Sequence, residues 1–297
     1  MFIRCLYLCC FLALVGRAPS LFAAFDLSIT IDGSLTSTQR TNLENALDAA
    51  EMTWEGLVTG YQPGVSIGGI NVTVVPSAAT GLADSQVTGT VTEGGFVLAT
   101  DARIRINPAA INFWSNWDGT GPTPPNTEFA GVNFLDEIMT HEMGHALGIG
   151  NLWTNNNLYV TGTGHYTGEH GLEAFLAEFD STATFVQVEL AGGPARANFH
   201  WDQIVRSSAE EGNPADPWPL DPRIGITDDH GRDFAFEMMT ATFDPDYGEP
   251  FVGQTTVQSL RDLGFTIVPE PGSTALLLVA AACWASSRQR TTVSQRS

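Results

Sequence analysis

In the stretch THEMGHALGIGN (residues 140–151), two histidines lie four residues apart and a glutamate directly follows the first. On a helix, positions four apart share one face, with Cβ atoms about 5–6 Å apart. His141 and His145 can therefore turn their imidazoles toward one ion. Glu142 is rotated about 100° round the axis from His141, so it can reach a water on that ion without being a ligand. Zinc held by neutral imidazoles at about 2.0–2.1 Å acidifies such a water toward a pKa of about 7. The carboxylate then takes the proton as the water attacks a carbonyl. The expected chemistry is zinc-dependent hydrolysis with Glu142 as general base.

Catalytic zinc keeps three protein ligands and one open position, so a third donor is needed. The residue three beyond Gly148 is Asn151, a poor zinc ligand. The other histidines are His165, His170, His200 and His230, and Glu173 offers a carboxylate on the next predicted helix. Residue types alone leave these open.

The pair needs a helix under it. The spacing predicts one from near Asn133 to about Leu147, with Leu135, Ile138, Met139 and Ala146 on its apolar side. Asp136 supports the cap, and Gly148 and Gly150 end the helix. Upstream, FDLSITIDG (25–33) alternates apolar and polar residues and reads as a strand. The segment 35–58 has helical spacing, with Thr36 or Ser37 as N-cap. Residues 65–75 and 94–107 supply further strands, and 107–126 reads as a loop rich in Gly, Pro, Asn and Trp. Downstream, 155–168 reads as loop, 171–179 as a short helix and 185–190 as a strand. The segment 255–268 reads as a helix stopped by Gly264, then an extended run. Strands first and helices later predict an α+β domain, with the metal helix packed under a small sheet.

Composition narrows the partners. The net charge is −20 and all 13 basic residues are arginine, which argues against nucleic acid as a partner. The amino-terminal MFIRCLYLCCFLALVGRAPSLFA reads as a secretory signal peptide over residues 1–23: Arg4, an apolar run from Cys5 to Val15, then small residues at the cleavage site. All four cysteines (Cys5, Cys9, Cys10 and Cys283) lie in the terminal segments, so a processed chain is expected to have neither disulfide nor thiolate site. Asp244, Asp246 and Glu249 in DPDYGE form a candidate calcium site with an incomplete ligand set. Tyr247 beside them is a candidate to stabilise an oxyanion.

Two resemblances add to this reading. The segments HEMGHALGIGNLW, HYTGEHGLEAFLAEF, ARANFHWDQ, FEMMTATF and TTVQSLRDLGF occur in the order found in leishmanolysin and its bacterial relatives, over residues 134–266. The resemblance implies a metzincin-like zinc protease domain spanning 24–267. Its small twisted sheet would lie over an active-site helix in a subdomain to about residue 150. A helix- and loop-rich subdomain, 151–267, would follow. In that family the third zinc histidine lies in an His-Trp dipeptide, which matches His200-Trp201. The methionine turn beneath the metal matches Glu237-Met238-Met239, giving Met239 the floor position. The chain departs from the pattern in an acidic, proline-rich stretch, EEGNPADPWPLDP, between those two motifs, and in lacking the cysteines of eukaryotic members. The carboxy-terminal segment 268–290 resembles a PEP-CTERM sorting signal: Pro269-Glu270-Pro271, an apolar run from Ala275 to Ala285, then Arg288 and Arg290. That resemblance implies export to the bacterial surface, transient membrane association through the tail and processing by an exosortase. The implied activity is endopeptidase action on protein or peptide substrates. The rival expectation is a surface-anchored binding or matrix protein whose metal is structural or vestigial.

Overall fold

The computed structural model describes residues 25–78, 80–116, 133–194, 196–203, 226–241 and 250–269. The segment read as a signal peptide, the acidic proline-rich stretch, the candidate calcium cluster with Tyr247, and the segment from Glu270 onward read as a sorting tail lie outside them.

The first half is built on a four-stranded mixed sheet of order β1-β3-β5-β4. β1 (Leu27–Ile31) pairs in parallel with β3 (Ile70–Pro76), and β3 with β5 (Phe96–Ile106). β4 (Ala83–Glu93) runs antiparallel along β5 and forms the outer edge. Parallel partners need a long crossover, and between β1 and β3 it contains α1 (Ser37–Leu57). Thr36 caps α1, and Gln39 reaches back to complete a capping box. Leu43, Ala46, Leu47, Ala50 and Trp54 form its buried stripe.

The expected strand at 65–75 starts only at Ile70, and the expected loop after Asn107 begins with a short helix, α2 (Pro108–Trp114). Asn107 caps that helix, and Pro108 opens it. β4 was not expected at all. Its side chains alternate between half-buried and exposed, and Ser, Gln and Thr occupy many of them, so the apolar contrast that marks a strand is weak.

α3 (Leu135–Ala146) carries the His-Glu-x-x-His motif and packs against α1, β4 and β5. The Asn133 side chain accepts the Leu135 N–H at 3.1 Å, and Asp136 and Glu137 face the positive helix end. Trp54 reaches across from α1 and donates its indole N–H to the Thr140 carbonyl at 2.9 Å. Past the helix, Gly148 and Gly150 take positive φ (111° and 73°).

The second half has two helices, α4 (Glu169–Glu178) and α5 (Gln254–Asp262), packed on each other. Asp262 accepts the N–H groups of His170 and Gly171 at the start of α4 and the Tyr166 hydroxyl. Two short ladders complete the fold. β6 (His165–Tyr166), in a segment expected to be loop, pairs with β7 (Val186–Gln187). β8 (Phe265–Ile267) pairs with β2 (Val58–Tyr61) and so ties the end of the domain to the first half. One hydrophobic cluster runs through both halves, from Phe25 to Phe265. The chain is a mixed α and β protein with a small sheet and several helices, consistent with an α+β fold.

Candidate metal centre

α3 places His141 and His145 one turn apart with their ring planes at 86°. The third ring comes from far along the chain. Residues 198–202 lie against 187–189, with Asn198 N–H donating to the Glu189 carbonyl and Glu189 N–H to the His200 carbonyl. This pairing delivers His200 to the helix. Close approach there requires glycine: a Cβ on Gly150 would lie 2.1 Å from the Phe199 carbonyl oxygen.

The three Nε2 atoms converge at 3.2 Å (His141–His145), 3.0 Å (His145–His200) and 3.3 Å (His141–His200). Three nitrogens held about 2.0–2.1 Å from one ion at tetrahedral angles would lie about 3.3–3.4 Å apart. The observed trio is within a few tenths of that spacing.

The opposite ring nitrogens fix the tautomers. Nδ1 of His141 bonds the Met238 carbonyl (2.6 Å), Nδ1 of His145 the Ile149 carbonyl (2.9 Å) and Nδ1 of His200 the Arg196 carbonyl (2.9 Å). A carbonyl oxygen only accepts, so each Nδ1 carries the proton. All three Nε2 lone pairs then point at one spot, an arrangement that repels itself and welcomes a cation. Protonation does not relieve it. Burial, followed by the neighbouring rings, pushes His145 well below its ordinary pKa and His200 down to about 3, and burial also lowers His141.

Glu142 is nearly buried, at 7% exposure, on the same helix. Burial chiefly, then the Asp84 carboxylate on β4, raises its pKa to about 8. Asp84 itself is paired with Arg105 through two contacts of 2.7 Å.

Met239 is fully buried beneath the helix. A Cβ on Gly144 would lie 2.5 Å from its Sδ and 3.0 Å from Trp54 Cζ2. The glycine between the two helix histidines is thus the gap into which the thioether fits. A glycine in mid-helix costs about 1 kcal/mol relative to alanine, a signal that the histidine spacing alone does not use.

The other candidates lie elsewhere. Asn151 is a cap: its side-chain amide donates to the His145 carbonyl at 3.0 Å and reaches the Ser85 carbonyl on β4 at 3.5 Å. His165 is exposed and stacks on Phe185. His170, Glu173 and His230 line a separate cavity of about 1050 Å³ beside α4 and α5, away from the trio. Among the described residues, His141, His145 and His200 are the group of donors close enough to share one ion.

No protein-family model matches the chain, and no curated protein matches its sequence. The deciding observation is therefore the geometry of the donors. This trio can hold a metal ion.

Proposed function

We propose that the protein is an exported, zinc-dependent endopeptidase of leishmanolysin-like type, with zinc on His141, His145 and His200. The single observation carrying this reading is a trio of converging lone pairs with a nearly buried carboxylate on the helix that carries two of the three rings. Three neutral imidazoles match zinc better than they match calcium or magnesium, which prefer oxygen donors. Held by these three residues, zinc would supply Lewis acidity and would lower the pKa of water.

The chain's own groups supply the rest. Glu142 accepts the proton of the attacking water and passes it to the leaving amine nitrogen, a shuttle best served by a pKa near the working pH. Burial raises that carboxyl, while a nearby cation draws it down again. The His-carbonyl bonds hold the three rings in their donor tautomer throughout. Met239 closes the floor with a polarizable, water-excluding thioether. β4, packed beside α3, has no partner on its outer edge among the described residues. An extended peptide could add there by backbone pairing, which suits a protein substrate. Secretion by the amino-terminal segment, and surface sorting through the tail by an exosortase, complete the proposal.

Replacing Glu142 by Gln should leave zinc bound and lower peptide hydrolysis by about 10²–10⁴-fold. Cleavage of a casein substrate and its inhibition by a hydroxamate provide the measurement. If Glu142→Gln cleaves as fast as the parent, the mechanism is wrong. If the zinc-loaded parent shows no hydroxamate-sensitive cleavage, the non-catalytic surface protein is the better reading.

A further inference from the structure

Glu237 is a carboxylate with 1% exposure, two residues before the buried methionine. One of its oxygens accepts the Met239 N–H at 2.7 Å, and the other accepts the Gly253 N–H at 3.0 Å. Gly253 opens α5, and Thr256 lies fully buried in its first turn. Thr256 Oγ1 accepts in turn the indole N–H of Trp201 at 2.8 Å. Finally, the backbone N–H of Trp201 donates to the Met239 carbonyl at 3.0 Å.

These bonds close a ring that passes from Glu237 to Met239, Trp201 and Thr256, and back to Glu237 through the Gly253 N–H at the start of α5. Three of its members, Glu237, Met239 and Trp201, are chain neighbours of groups at the metal site. Trp201 directly follows His200, and the carbonyl of Met238 holds the Nδ1–H of His141. The indole cannot swing to find another acceptor. It stacks on Trp153 with centroids 4.5 Å apart and meets the edge of Tyr166 at 5.0 Å.

We propose that Glu237 and Thr256 are positioning residues of the metal site, setting the register of His200 against His141 through this buried ring. The proposal rests on the trio binding metal, and it assigns the ring a task beyond holding the fold together. Metal–ligand distances tolerate only about ±0.2 Å, whereas His200 arrives on an irregular segment with no helix to fix it. Thr256 supplies the hydroxyl acceptor that the buried Trp201 indole N–H needs. Valine there keeps the volume but leaves the Trp201 indole N–H without its acceptor.

The test uses the full chain with Thr256→Val, Thr256→Ser, Glu237→Gln and Trp201→Phe. Zinc affinity is read by competition with a chromophoric chelator. The visible absorption of the cobalt(II)-substituted protein reports ligand geometry, and melting of the metal-free form reports stability. Thr256→Val, Glu237→Gln and Trp201→Phe should each weaken zinc binding by about 10- to 100-fold and alter the cobalt spectrum, while Thr256→Ser restores both. Should Thr256→Val fail to fold, Trp201→Phe removes the same link while keeping an aromatic ring. Unchanged affinity and spectrum, with only the melting temperature lowered, would show that the ring serves folding alone and would overturn the proposal. If the parent takes up neither zinc nor cobalt, the metal reading itself has failed, and that result is distinct from the first.

Discussion

Gly144 shows how narrow the tolerance is at the level of one residue. Alanine there gains about 1 kcal/mol in helix propensity. It also places a methyl 2.5 Å from Met239 Sδ in a site closed on the far side by Trp54. Overpacking of this kind costs about 1–3 kcal/mol, so Gly144→Ala should lower stability in urea unfolding. The cost should shrink in a Met239→Ala background, because the shortened side chain frees the space. Equal costs in both backgrounds would remove Met239 from beneath the helix. Titration gives a second test at this scale. The three histidines have lowered pKa values in the fold, so their contribution is present above the unfolded value of 6.5 and lost as pH falls below it. Glu142 and Glu237 are raised to about 8 and about 7, so theirs is present at acid pH and lost as pH rises through those values. The metal-free protein should therefore be most stable near pH 6.5–7 and weaken on both sides, as urea midpoints across pH would record. A midpoint that climbs steadily to pH 9 would contradict these shifts.

Among the elements, what was legible in the sequence followed pattern strength. α1 and α3 announced themselves through apolar spacing and caps, and α5 through its stop at Gly264. β4 did not, because an edge strand carrying Ser, Gln and Thr gives little alternation to read. The helix pair His141 and His145 was legible from spacing alone. His200 was not, because its place depends on pairing between residues 187–189 and 198–202, a contact that no local pattern encodes. Only the His-Trp resemblance pointed to it. Asn151 was legible as a non-ligand, yet its work as the cap of α3 needs the folded turn to be seen. Asn151→Ala should cost about 1 kcal/mol of stability, the worth of one hydrogen bond, and leave zinc stoichiometry unchanged. Loss of the metal in that variant would show that the side chain is a ligand after all.

For the molecule as a whole, the two halves meet at the proposed metal. α3 brings two imidazoles from the sheet side; the segment around Trp201 and the turn at Met238–Met239 bring the third imidazole and the floor from the helical side. An ion that joins them binds the native state and not the unfolded chain, so it should raise global stability as well as permit chemistry. The direct test is zinc content and affinity for the full chain beside His200→Ala. One zinc per parent chain is predicted, with X-ray absorption showing three imidazole nitrogens at about 2.0–2.1 Å and His200→Ala losing one of them together with most of the affinity. A parent that takes up no zinc, or a His200→Ala variant that binds it as tightly and with the same coordination shell, would contradict the account.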